Sequence, residues 1–204
     1  MNLIDLSHTI ENNMPVYPGD KNVILYEDKN YDKDFYTSYI LKSGMHSGTH
    51  IDAPMHITKD KRFINEFSLN NFYGKGVFID ARGKDIIDIN EDFKKSLQGK
   101  EIVIIYTGFE EKYGCDEYYN NHPVLSKKLV EFFKLNNIKM VGFDMPSPDK
   151  EPYEIHKMLL NNNIFILENL CNLDKLLNIE DFTIMCFPLK IKAEGSLVRA
   201  VAMY

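Results

Sequence analysis

The chain has 204 residues, of which 44% are hydrophobic and 26% charged, with a formal net charge of -6. The length favours a single domain over 1–204 that is large enough to bury a core. The acidic balance and the lack of a dense basic cluster exclude nucleic acid as the main partner, because phosphate binding needs a basic face.

No apolar run is long enough to span a membrane, and the N-terminus has no basic segment followed by an apolar one. Both features point to a cytoplasmic protein. Cys115, Cys171 and Cys186 are an odd set without CxxC spacing. This fits free thiols in a reducing compartment, serving as small buried packing residues.

The first third reads as irregular and strand-rich. "LIDLSHT" opens with an apolar run, and "MPVYPGD" (14–20) is turn chemistry. "NVILYE" (22–27) and "FYTSYILKS" (35–43) carry β-branched and aromatic residues at strand spacing. From there the pattern alternates. "GVFIDA" (76–81), "EIVIIYT" (101–107), "KMVGFD" (139–144), "IFILEN" (164–169) and "TIMCFPL" (183–189) suit buried strands. "EDFKKSL" (91–97), "VLSKKLVEFFKLNN" (124–137) and "YEIHKMLLNNN" (153–163) read as helices. In the second of these, Val124, Leu125, Leu129, Phe132 and Phe133 form one stripe. "SLVRAVAMY" (196–204) reads as a final strand. Strand–helix alternation predicts an α/β domain with part of its sheet parallel. The first third is expected to form a second, antiparallel element packed against it.

Residues 46–56, "HSGTHIDAPMH", hold half of the six histidines in the chain. His46, His50, Asp52 and His56 share one parity, so an extended chain would turn all four to the same side. A straight strand would nevertheless spread them over roughly 33 Å, so the segment must curl. Gly48 and Pro54 are placed to allow that. Two imidazoles and a carboxylate turned inward suit zinc, manganese or iron(II).

The same eleven residues resemble the HxGTHxDxPxH signature of the cyclase family, whose best-known members are bacterial kynurenine formamidases. "DLSHTIENNMPVYPGD", "VGFDMPSPD" and "FPLKIKAEGSLVRAVAM" are similar to other family segments, so the resemblance covers nearly the whole chain. It implies the swivelling β/β/α fold, a mixed sheet with flanking helices. It also implies two divalent metal ions per subunit, Zn2+ first and Mn2+ as the alternative.

By the same resemblance, His46, His50, Asp52 and Glu168 surround one ion. Asp52, His156 and Glu168 surround the other. Without the family, His156 reads as an ordinary helix histidine and Glu168 as a strand-end carboxylate. The last histidine of the signature, His56, takes the family's role of general acid/base. Homodimeric or higher assembly rests on the resemblance alone.

The chemistry implied is amide hydrolysis. A paired metal site activates water near neutral pH, and His56 moves the proton to the departing nitrogen. No GxSxG elbow offers a rival nucleophile. The family reaction is N-formylkynurenine to kynurenine and formate, a step of tryptophan catabolism. Where the formamidases carry a tryptophan before "PGD", this chain has Tyr17, which still stacks on a ring. The alternatives are an isatin hydrolase or another cyclic amide or lactone hydrolase, and, in another class, a non-catalytic metal- or small-ligand-binding protein.

Ser147 is a further substrate-contact candidate by family analogy. His8 reads as a brace for the N-terminal strand and His122 as structural. Arg199 could bind a carboxylate or pair with an acidic neighbour.

Overall fold

A computed structural model describes the backbone of residues 1–204 and the side chains of all but residues 92 and 93. The strands in chain order are β1 (Leu3–Asp5), β2 (Ile24–Lys29), β3 (Ser38–Lys42), β4 (His50–Asp52), β5 (Tyr73–Asp80), β6 (Ile86–Ile87), β7 (Ile102–Tyr106), β8 (Val124–Leu125), β9 (Met140–Phe143), β10 (Phe165–Glu168), β11 (Thr183–Met185), β12 (Gly195–Leu197) and β13 (Val201–Met203). The helices are α1 (Tyr31–Asp34), α2 (Glu91–Ser96), α3 (Asp116–Asn120), α4 (Lys127–Leu135) and α5 (Glu154–Asn161).

Nine strands form one mixed sheet in the order β1-β13-β11-β5-β7-β9-β10-β4-β12. β5, β7, β9 and β10 run parallel at its centre. They are short apolar runs because helices and loops cover both faces, the usual condition of parallel strands. The antiparallel wings differ from the expected arrangement. β1 and β4, both from the first third, join the large sheet itself. Only the hairpin β2–β3 forms a separate antiparallel unit. The expected final strand is broken into β12 and β13, which pair at opposite ends of the sheet. Arg199 and Ala200 lie in the break, where the chain crosses over.

Side-chain alternation divides the core into two layers. Val103 and Ile105 of β7 face one layer with Leu129, Phe133, Ile155 and Leu159 of the helices. Ile102 and Ile104 face the other with Ile51, Phe165 and Leu167. The helix predicted over 124–137 begins later, because Val124 and Leu125 pair with β6 as a strand. Ser126 then caps α4, its side chain accepting from the Leu129 amide at 3.0 Å, a standard N-cap. The thiols also differ from expectation: Cys186 is buried, Cys171 half-buried and Cys115 exposed.

Candidate metal centre

β4 lies antiparallel between β10 and β12. Its register sets Glu168 opposite His50 and Ile166 opposite Asp52. Residues two apart on a strand, and residues directly opposite across an antiparallel pair, share a face. His50, Asp52 and Glu168 therefore converge on one side, while Ile51 and Leu167 pack into the core on the other. The third strand allows this crowding because Gly195 stands opposite Asp52. A Cβ there would lie 2.8 Å from the Ile51 carbonyl and 3.3 Å from His46 Cε1. His46 reaches the same point from the loop before β4, which turns at Gly48 with φ of 59°. His56 arrives from the 3-10 turn at Pro54–His56. α5 supplies His156 from its first turn.

The donor spacing separates this centre from a hydrogen-bonded cluster. His50 Nε2 stands 3.4 Å from Asp52 Oδ1 and 3.4 Å from Glu168 Oε2. His156 Nε2 stands 3.3 Å from Glu168 Oε1 and 3.7 Å from Asp52 Oδ2. Two donors each about 2.1 Å from a tetrahedral ion lie about 3.4 Å from one another. His50 Nε2, both Asp52 oxygens and Glu168 Oε1 are buried without a hydrogen-bond partner of acceptable geometry. Such atoms are costly unless something satisfies them. The residues present thus fit a divalent-cation site.

The imidazoles are oriented from behind. His50 Nδ1 donates to the Gly48 carbonyl at 2.8 Å. His156 Nδ1 faces Asp149 Oδ1 at 2.7 Å, and the other Asp149 oxygen accepts from the Ile155 amide at 2.6 Å. In both rings Nε2 is left free to face the carboxylates, the arrangement expected of backed metal ligands. His46 lies 2.8 Å from Asp52 through Nδ1 and 3.2 Å from Glu194 through Nε2. Neither Asp149 nor Glu194 was singled out from the sequence. An acid shortly before a helix start was the available signal for Asp149; Glu194 offered none.

The electrostatics show how strongly the site favours positive charge. Burial by itself lowers the pKa of His46, yet the adjoining Asp52 and then Glu194 raise it to about 10. Burial also opposes the charged form of His50, which Asp52 and Glu168 raise to about 9. His156 is raised well above the ordinary histidine value, against burial, by Asp149, Asp52 and Glu168. Asp52 is held well below the carboxylate range by His46 and His56 despite its burial. His56 behaves differently. Burial lowers it, Asp52 opposes that, and the neighbouring His46 and His156 lower it further.

Two compact donor trios emerge, His46–Asp52–His56 and His50–Asp52–Glu168. His56 stands among these donors, its ring 4.1 Å from that of His46 and 6.1 Å from that of His156. A cavity of about 300 Å³ opens over the centre, walled by Tyr17, Tyr113, Tyr119 and Tyr153. Tyr17 and Tyr119 meet edge to face at 5.8 Å. Ser147 also lines the cavity, but its hydroxyl donates to the Asp149 carbonyl at 2.6 Å. His8 stacks on Tyr113 at 3.8 Å, and its backbone amide donates to Thr49 Oγ1 at 3.0 Å. His122 Nδ1 faces the Pro123 carbonyl at 2.9 Å. Arg199 pairs with Asp5 through two contacts of 2.7 Å, away from the cavity.

Comparison with known proteins agrees with this architecture. The chain is 35% identical over 205 residues to an uncharacterized protein of Methanocaldococcus jannaschii, covering 100% of both. It is 30% identical over 205 residues to a kynurenine formamidase of Bacillus mycoides, covering 97% of this chain and 95% of that one. An isatin hydrolase bound to the product analogue thioisatinate shares the fold, with a TM-score of 0.85 and 23% identity, over 99% of this chain and 92% of the other. The Cyclase family model matches residues 4–150, which include the whole histidine segment and Asp149, and the chain belongs to the cyclase family.

Proposed function

We propose that the chain is a metal-dependent hydrolase that opens an amide bond, and that its substrate is the formamide of an aromatic amine. N-formylkynurenine, cleaved to kynurenine and formate in tryptophan catabolism, is the reference substrate. One observation carries the reading. Buried, hydrogen-bond-starved carboxylates and imidazoles spaced for divalent ions lie beneath an aromatic cavity, with His56 beside them. The names of relatives agree: kynurenine formamidase among sequences, and metal-dependent hydrolase among structures of the same fold.

Two divalent ions, zinc or manganese, would supply Lewis acidity that activates water and polarises a carbonyl. Everything else falls to the chain. His46, His50 and His156 offer neutral nitrogens once their protons are displaced, and Asp52 and Glu168 contribute the negative charge between them. Asp149 and the Gly48 carbonyl hold two of the rings in orientation. His56, whose burial and cationic neighbours favour its neutral form, accepts a proton on the attacking side. It then returns that proton to the departing nitrogen. The tyrosine walls seat the aromatic ring and exclude water.

The reaction is placed in the cytoplasm, which suits three free thiols. The assembly is a homodimer or larger. The hairpin β2–β3 supports that, since it exposes Tyr26, Phe35, Tyr39, Ile40 and Leu41, and an isolated two-stranded unit is marginal in water. The test is to load the full chain separately with zinc and manganese and to follow kynurenine release, with His56→Ala as control. Metal-dependent, His56-dependent turnover is expected. Turnover of isatin but not of the formamide would move the assignment to a cyclic amide. Two bound metals with no hydrolysis of either would favour a binding protein.

A further inference from the structure

Asn169 follows Glu168 at the end of β10 and is buried. Its backbone is left-handed, with φ of 54°, a conformation asparagine tolerates better than most residues. Its side chain meets the loop before β4. Nδ2 donates to the Gly48 carbonyl at 3.0 Å, across 121 residues of sequence. Oδ1 accepts from the Tyr118 hydroxyl at 2.7 Å. Tyr118 is fully buried on α3, and burial raises its pKa well above the ordinary tyrosine value, so the hydroxyl keeps the proton it donates. The backbone carbonyl of Asn169 accepts from Thr49 Oγ1 at 2.6 Å, a second tie to the same loop.

These contacts fix the proton positions. A carbonyl oxygen only accepts, so Gly48 requires N–H groups from both Asn169 Nδ2 and His50 Nδ1. The 3.5 Å approach of those two nitrogens is then no hydrogen bond, but the result of sharing one acceptor. With its proton on Nδ1, neutral His50 has its lone pair on Nε2, which faces Asp52 and Glu168.

A bond from a ring to the carbonyl two residues earlier moves with its own loop and gives no fixed reference. That loop turns at Gly48, where φ is 59° and the backbone is least restrained. Asn169 supplies the reference from another strand, and the same strand end carries Glu168. We propose that Asn169 is a positioning residue, whose side-chain amide pins the Gly48 carbonyl and through it sets the tautomer and orientation of His50. Tyr118 holds that amide in place. The consequence for metal rests on the metal-dependent reading above; the ring orientation rests on hydrogen-bond geometry alone.

The test uses the full chain, unaltered and as Asn169→Gly and Tyr118→Phe. Glycine keeps the left-handed backbone without strain and removes only the amide. Zinc affinity is read by chelator competition. Exchange of the His50 Nδ1 proton is read by NMR with isotope-labelled histidine, with and without zinc, the signal being assigned by its loss in His50→Gln. Asn169→Gly is expected to weaken zinc binding at least tenfold, within the range known for residues behind a ligand, and to speed exchange at least tenfold. Tyr118→Phe is expected to move both in the same direction, at least threefold. Zinc affinity unmoved by Asn169→Gly, or exchange unmoved by it, overturns the proposal. If Asn169→Gly does not fold, Tyr118→Phe decides by the same two readings. If the unaltered chain binds no zinc but substitution still speeds exchange, the metal reading falls and the positioning of the ring stands.

Discussion

Two buried carboxylates in this molecule are handled in opposite ways. Asp144 follows β9 and is fully enclosed. It accepts from the Thr107 amide and hydroxyl, each at 2.7 Å, and from the Glu110 amide at 3.5 Å. Asp52 is just as enclosed, yet neither of its oxygens has a hydrogen-bond partner of acceptable geometry, although His46 Nδ1 lies 2.8 Å from one of them. Burial raises the pKa of Asp144 even against its hydrogen bonds. Asp52 is driven the other way by the imidazoles around it. The first carboxylate is saturated by the chain and ties the ends of two neighbouring strands together. The second is left for something the chain does not contain. Hydrogen-bond saturation, more than burial, distinguishes a structural acid from a ligand.

The contrast is open to attack at several points. The largest effect is expected from Asp52→Asn, which should abolish stoichiometric metal binding by elemental analysis. It should also remove the rise in melting temperature that bound ligand gives the native state. Asp144→Asn should leave metal content unchanged; loss of metal in both variants would erase the distinction. Next is His56→Ala, which should lower kcat by about 10²–10⁴ while retaining the metals. Loss of metal in that variant would make His56 a ligand, as its place in the His46–Asp52 trio permits.

Asp149→Asn should weaken metal affinity by about 10–100-fold, read by chelator competition, because His156 loses the negative charge of the partner that orients it. Unchanged affinity would reduce Asp149 to a helix cap. Asp144→Asn should cost about 1–3 kcal/mol in denaturant unfolding, the usual penalty for disturbing buried hydrogen bonds, because one of its acceptors becomes a donor.

The smallest effect concerns Glu110, whose pKa burial and then Asp144 raise to about 7. A raised folded-state pKa favours the protonated form. The stability it supports is complete below the unfolded value and is lost as pH rises through about 7. The loss should be of order 1 kcal/mol after discounting for solvent screening. Glu110→Gln should flatten stability between pH 4.5 and 7; an unchanged slope would place the titration on another group.

Much of the fold was legible because its strands are short apolar runs with turn chemistry between them. The five runs read between residues 76 and 189 all contain strands. The misreadings share a cause. "SLVRAVAMY" has unbroken strand character, but its two halves pair with β4 and β13's neighbours at opposite ends of the sheet. Val124 and Leu125 fit a helical stripe, but β6 offers them a partner. In each case a distant pairing overrode a local preference.

By itself, the sequence determined the histidine segment. His46, His50, Asp52 and His56 lie within eleven residues; β4 sets His50 and Asp52 on one face, and the turns at Gly48 and Pro54 bring His46 and His56 round to them. Tertiary structure decided the rest of the centre. Glu168 reaches His50 only because β10 and β4 pair in one particular register. His156 and Asp149 arrive with a helix more than ninety residues beyond the segment, and Glu194 and Gly195 come from near the chain's end. The physical reason is the range of the forces involved. Backbone alternation acts over a few residues and can be read along the chain. Strand order and register depend on how the whole sheet buries its two faces, and no short stretch of sequence carries that information.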